Sequence, residues 1–196
     1  MISMYRMPKT AQATDPKSPS AAKADAVADA VADANANPVA SGGRRLQVRR
    51  SGVHGKGVFA LRPIAAGTTI IEYAGEVISW KEALRRHPHD PLDPNHTFYF
   101  HIDDKHVIDG KVGGNSSRWI NHACEPNCEA EDADGRIFIK ALVDLHPGEE
   151  LFFDYGLVID GRHTPALKKE YECRCGCPGC RHTMLAPKRR AARPLP

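Results

Sequence analysis

All six cysteines of this 196-residue chain fall in two segments. One runs Arg118-Trp-Ile-Asn-His-Ala-Cys124-Glu-Pro-Asn-Cys128 and the other Cys173-Arg-Cys-Gly-Cys-Pro-Gly-Cys180. Thiolates at such spacing suit a tetrahedral zinc ion, with Zn–S bonds of about 2.3 Å, because one short loop then supplies several ligands. Cys173, Cys175 and Cys180 provide three, and a fourth must come from elsewhere. Cys128 and Cys177 are left over as small packed or partly exposed thiols, although Cys177 could replace a neighbour, and His122 and His182 also lie near the thiols in sequence. Three disulfides are the competing reading, but disulfide geometry restricts which Cα separations can be bridged, and residues 173–180 are crowded. Zinc, and with it a reducing compartment, is therefore expected. A knuckle that only binds a partner would carry the same cysteines, so the metal alone does not make an enzyme.

Two other stretches carry residues able to line a reaction site: Val53-His-Gly-Lys-Gly-Val-Phe-Ala60 and Glu149-Glu-Leu-Phe-Phe-Asp-Tyr-Gly156. Taken singly they say little. A Gly-x-Gly is commonly an ordinary turn, and a strand tyrosine is commonly half-buried with its hydroxyl bonded to backbone. A doubly wound dinucleotide-type fold is disfavoured, because its glycine-rich turn opens a helix, whereas Gly57 leads into the strand-like Val58-Phe59-Ala60.

In chain order the four segments resemble a SET-domain protein lysine methyltransferase with a post-SET zinc segment, over residues 45–185. The resemblance implies a mainly β fold, the SET or β-clip fold, of several small sheets with a pseudoknot, short helices and a C-terminal zinc knuckle. It implies S-adenosylmethionine as methyl donor and a structural zinc whose fourth ligand is Cys124, beside Cys173, Cys175 and Cys180. Tyr155 matches the family's essential tyrosine, whose hydroxyl lies by the transferring methyl, and Tyr73 a second tyrosine of the lysine channel. Phe153 stands where the family sets the number of methyl groups. A tyrosine there anchors a space-filling water, and phenylalanine leaves room for an amine already methylated, which implies di- or trimethylation. Asn121 and His122 match cofactor contacts, His54, Lys56 and Gly57 the methionine end, and Arg174 the adenine side. The family often has a cofactor-site tyrosine where Phe98 or Tyr99 falls, and a glycine where this chain has His182. No cysteine-rich segment precedes residue 45, so the substrate rules of subfamilies having one do not transfer.

The implied chemistry makes definite demands. Lysine, with an ordinary pKa near about 10.4, must enter as a neutral amine, which desolvation in a narrow channel favours. The channel must also align amine and methyl and stabilise the methyl in flight through weak C–H···O contacts.

Short β elements must hold these residues. Leu46–Arg49 and Gly57–Leu61 read as strands around a turn at Ser51–Gly55, and Thr68–Tyr73 as a third. Ser79-Trp-Lys-Glu82 is a capping box and predicts a helix from Trp80 to Arg86 that stops before Pro88, with His87–Asn95 as a loop. Phe98–Ile102 and His106–Asp109 predict strands around Asp103-Asp104. Asn115 predicts a cap for a short helix through Trp119, Asp134-Gly135 a hairpin, and Thr164-Pro165 the start of a last helix. The expected organisation is a disordered Ala/Asp/Pro-rich tail over 1–43, a SET domain over 44–160, a post-SET zinc segment over 161–185 and a basic disordered tail over 186–196. A transient Ala-rich helix is the alternative for the first tail.

Formal charge is +3, yet residues 51–185 hold 15 basic and 20 acidic side chains, so the expected domain is acidic and the basicity sits at its edges. That favours a protein substrate with an exposed lysine in a basic segment, histone or histone-like. Glu125, Glu129, Glu131, Asp132 and Asp134 either steer such a peptide or form a solvated hairpin edge. The arginine clusters at 44–50 and 188–193 allow nucleic-acid contact without requiring it. Two alternatives to an enzyme stand beside it: a catalytically weak SET module that binds basic tails, and a zinc-stabilised nucleic-acid-associated module. No apolar run approaches a membrane span. The expectation is a soluble protein of cytoplasm or nucleus, with delivery into a host cell left open.

Overall fold

The computed structural model describes residues 6–7, 44–87, 97–159 and 161–187. The expected tail over 1–43, apart from Arg6–Met7, most of the expected loop at His87–Asn95, and the basic tail from residue 188 onward lie outside the described residues.

Strand β1 (Arg6–Met7) pairs in parallel with the late strand Val158–Ile159. Next come β2 (Leu46–Arg50) and β3 (Lys56–Ala60), an antiparallel pair closed over the 51–55 turn. β4 (Thr69–Glu72) joins the hairpin of β9 (Cys128–Ala133) and β10 (Arg136–Ala141), with β10 central. A third sheet has the order β5 (Glu76–Ser79), β7 (His106–Asp109), β6 (Tyr99–His101). β8 (Asn121–His122) and β11 (Phe152–Phe153) form a two-residue parallel pair, and Val158–Ile159 is β12. The result is mainly β, in small sheets with short helices.

Local chemistry explains the elements. In β10, Ile137, Ile139 and Ala141 are buried while Phe138 and Lys140 are half-buried, the period-2 pattern of a strand with one face on the core. Burying each such aliphatic chain contributes about 1.5–3 kcal/mol. The β9–β10 turn places Asp134 at φ 55° and Gly135 at φ 81°, as a two-residue hairpin loop requires. Helix α1 (Trp80–Arg86) starts where expected, with the Ser79 hydroxyl accepting from the Glu82 N–H at 3.2 Å. Its last residue, Arg86, donates to the buried Asp109 carboxylate at 2.9 Å, tying α1 to β7. Asn115 caps a 3₁₀ turn over Ser116–Trp119, and Thr164 caps α2 (Pro165–Glu170).

The core runs through Val58, Phe100, Ile137, Ile139, Leu151 and Phe153, and so links four of the five small sheets formed by the described residues. β8 and β11 are separated in sequence by the β9–β10 hairpin yet lie side by side, Asn121 opposite Phe152 and His122 opposite Phe153. This pairing is the crossover on which the site is built.

Candidate active site and metal centre

The floor of the site is a junction around Asn121. Its side-chain N–H groups reach the His54 carbonyl at 3.2 Å, the Lys56 carbonyl at 2.9 Å and Glu150 Oε1 at 3.0 Å. The other Glu150 oxygen accepts from the Ser51 hydroxyl at 3.1 Å. A Cβ at Gly57 would collide with the Glu150 carboxylate, which explains the glycine there. Asn127 holds Glu150 and Phe152 by their backbones at 2.8 Å each. Sequence reasoning missed Glu150 and Asn127, because nothing local signals that a surface-type residue will reach across the chain.

An aromatic wall rises from this floor. The Tyr155 hydroxyl donates to the Ile120 carbonyl at 2.8 Å, and the Tyr73 hydroxyl to the Phe98 carbonyl at 2.9 Å. Phe153 is 1% exposed, with its ring 5.0 Å from that of Tyr155. Burial is the main cause that raises the pKa of both Tyr73 and Tyr155 well above the usual phenol value, so both stay neutral hydroxyls.

A cavity of about 340 Å³ opens against this wall. Tyr73, Phe153 and Tyr155 line it together with Asn121 and His122. His54 and Lys56 line one side, and Arg174 of the cysteine-rich segment another. The two remaining expected residues stand behind the surface. Gly57 abuts Glu150, and Phe98 packs edge-on against Trp119 at 5.0 Å. Tyr99 lines the cavity, its hydroxyl donating to the Ala83 carbonyl at 3.1 Å. Trp119 and Arg118 also line it unannounced, Lys56 Nζ lying 4.6 Å over the Trp119 ring. Their position just before Ile120-Asn121-His122 was the available signal.

The thiols of Cys124, Cys173, Cys175 and Cys180 all lie within 4.8 Å of one another. Cys124 and Cys173 are 3.6 Å apart, close to the roughly 3.8 Å edge of a tetrahedron with 2.3 Å Zn–S bonds. All six cysteines are unbridged. Backbone N–H groups of Cys175, Arg181 and His182 point at the sulfurs of Cys173, Cys124 and Cys180, each at 3.4 Å, as thiolate ligands require. The donor set fits zinc. Cys128 is fully buried in the core, its thiol pushed up to about 12 by burial, and Cys177 stands beside Cys175 outside the four.

His122 links the two centres. Its Nδ1 accepts from the Tyr155 N–H at 3.1 Å, which leaves the proton on Nε2, 3.4 Å from Cys124 Sγ. Burial is the main cause that pushes the imidazole down to about 4, so the neutral ring is a hydrogen-bonded strut between cavity and thiols.

The family described as SET domain matches residues 55–156, more than half of the chain. This chain belongs to the SET-domain family. It is 37% identical over 146 residues to the histone-lysine N-methyltransferase ash1 of Drosophila melanogaster, covering 72% of this chain and 6% of that protein. It is 37% identical over 136 residues to the histone-lysine N-methyltransferase set1 of Dictyostelium discoideum, covering 67% and 9%. It is 35% identical over 143 residues to the H3 lysine-4 specific histone-lysine N-methyltransferase of Mycosarcoma maydis, covering 70% and 10%. The chain thus spans about a tenth or less of the length of these relatives.

The cysteine-rich segment lies beyond the matched SET domain and is fastened to it at several points. Arg181 makes a bidentate pair with Asp154, 2.8 Å on each arm, next to Tyr155. The Arg181 N–H donates to Cys124 Sγ at 3.4 Å, Leu157 just past the matched residues bridges to Leu185, and within the segment the Tyr171 carbonyl accepts from the Met184 N–H at 2.8 Å. His182, where the resemblance led a glycine to be expected, has φ 54°, so the histidine takes the left-handed backbone that glycine adopts most easily.

Proposed function

We propose that this SET-domain chain is an S-adenosylmethionine-dependent protein lysine N-methyltransferase acting on a histone or another basic protein, with room for di- or trimethylation. The observation that carries the reading is one cavity shared by Tyr73, Phe153 and Tyr155 with Asn121, His122 and Arg174. Its mixture of hydroxyls, aromatic rings and flanking cations suits a zwitterionic nucleoside sulfonium. His54 and Lys56 would hold the methionine end, the 121–122 strand the centre and Arg174 the adenine side. Bound there, S-adenosylmethionine supplies an electrophilic methyl group on a sulfonium sulfur.

The residues then act by exclusion and orientation. Tyr73 and Tyr155 are fixed by carbonyl acceptors and remain protonated, so neither is a general base. The lysine sheds its proton to water, and the aromatic wall keeps it from regaining one by disfavouring the ammonium form. The Tyr155 hydroxyl and nearby carbonyls orient the amine for in-line attack, where alignment supplies a large part of the rate. Phe153 brings no hydroxyl to hold a space-filling water, leaving volume for an amine already methylated. Cys124, Cys173, Cys175 and Cys180 would hold a structural zinc that keeps the Arg174 side in place.

The histone-lysine names of the relatives support a histone or similarly basic substrate. The acidic side chains on β9, Glu129, Glu131 and Asp132, offer such a peptide a complementary field that salt should weaken. The deciding experiment is transfer of labelled methyl groups to a histone mixture and to a lysate of basic proteins. Label on lysine that disappears with Tyr155→Phe supports the proposal, and cofactor binding without transfer refutes it.

A further inference from the structure

We propose that Cys175 and Cys177 form a peroxide-reactive pair whose oxidation to a disulfide releases the zinc. Four thiols suffice for a tetrahedral ion, and the sulfurs of Cys124, Cys173, Cys175 and Cys180 supply them. Cys177 is a fifth thiol with no place in that set, yet its sulfur is 3.4 Å from that of Cys175. A disulfide needs about 2.05 Å, so closing the pair takes a shift of little more than an ångström. Gly176 between them has φ 72° and nothing within 4 Å of where a Cβ would lie, so the link can re-form without a steric barrier. Cys177 is partly exposed, whereas the other thiol outside the set, Cys128, is fully buried at 0% exposure. A small oxidant therefore reaches Cys175 and Cys177 and not Cys128.

The chemistry balances with a hydroperoxide as oxidant. The Cys177 thiolate, outside the zinc set, attacks an oxygen of hydrogen peroxide, the O–O bond breaks, and the departing hydroxide takes a proton to give water and a sulfenic acid on Cys177. The Cys175 thiolate then attacks that sulfur, an S–S bond forms, the S–O bond breaks, and the departing hydroxide takes a proton to leave as a second water. Two thiols lose one electron pair and the peroxide gains it. The zinc loses one of its four thiolates, is held far more weakly and passes to solution. With it goes a restraint on the Arg174 side of the cavity.

The test uses the zinc-loaded chain and hydrogen peroxide. Zinc release is followed with a chromogenic chelator, and the oxidised cysteines are located by tandem mass spectrometry after alkylation. In the wild type, release accompanied by a Cys175–Cys177 disulfide, reversed by dithiothreitol and added zinc, is the expected result. Cys177→Ser and Cys177→Ala, checked for full zinc content and unchanged melting, should release zinc about tenfold more slowly, because the thiol outside the zinc set that first meets the peroxide is gone. Release at the wild-type rate in both variants overturns the proposal. So does a disulfide mapped to another pair, or a variant that binds less than one zinc, which would make Cys177 a ligand. Neither readout involves methyl transfer, so its outcome is independent of the proposed catalytic function.

Discussion

Arg181 grips Asp154 with two hydrogen bonds of 2.8 Å while its own backbone N–H donates to Cys124 Sγ. One residue therefore joins the cysteine cluster to the strand end that carries Tyr155. Removing the guanidinium in Arg181→Ala should leave the zinc bound but loosen the wall formed by residues 171–174. The expected outcome is a rise in the cofactor dissociation constant of roughly tenfold, corresponding to about 1.4 kcal/mol, with a smaller change in Arg181→Lys, whose point charge cannot make both bonds. Calorimetric titration with the cofactor measures it.

Tyr155→Phe removes a buried hydroxyl and leaves the Ile120 carbonyl without this donor. Stability should fall by only about 1–2 kcal/mol, whereas methyl transfer should fall by at least about a hundredfold if the hydroxyl orients the reacting amine. A thermal melt alongside single-turnover transfer separates the two effects. Equal losses in both would mean that the hydroxyl is purely structural.

Phe153→Tyr adds one hydroxyl to a side chain that is 1% exposed and lines the cavity. The first methylation should persist, and the second and third should decline by about tenfold or more as the new hydroxyl and its water occupy space. Intact mass of the product reads the distribution directly.

Chelation should act on the cavity at a distance. Stripping zinc frees Cys124, Cys173, Cys175 and Cys180, and with them the segment that presents Arg174. Cofactor binding should be lost while far-UV circular dichroism keeps the β signal, because the core sheets hold none of the thiols except Cys128 on β9. Added zinc should restore binding at one equivalent per chain.

The α1 charge cluster predicts an acid limit. Hydrogen bonds from Arg85 first, and then Arg86, lower Glu82 from its ordinary 4.5 to about 2. A carboxylate depressed on folding contributes stability that is fully present above the unfolded value and is lost as pH falls through the folded one. The contribution should therefore fade between pH 4.5 and about 2, and Glu82→Gln should flatten that part of the pH–stability curve without changing the plateau slope above it. Melting temperatures from pH 2 to 7 test this.

Much of the molecule was legible in its sequence, for physical reasons that differ by element. Ser79 and Glu82, Asn115, Asp134-Gly135 and Thr164-Pro165 carry local backbone chemistry, and each produced the cap or turn it predicts. β8 and β11 are two residues long, too short for any periodicity, and exist only because the crossover brings them together. The Phe-Asp-Tyr and Asn-His motifs announced the cavity, yet the Glu150 carboxylate that fastens its glycine loop did not. Its role depends on Ser51 and Asn121, distant in sequence, and on the missing Cβ of Gly57. The same holds for Arg181, which composition marks only as one more charge.

The crossover of β8 and β11 also sets a timetable for synthesis. Tyr73 leaves the ribosome early, Asn121 later, Phe153 and Tyr155 later still, and Arg174 with three of the four clustered thiols last. Contacts between such distant stretches form slowly, since loop closure precedes their reward. A nascent chain therefore carries exposed halves of an unfinished cavity until its lining residues 171–174 arrive. Until that closure, apolar side chains meant for the cavity wall face solvent and other chains.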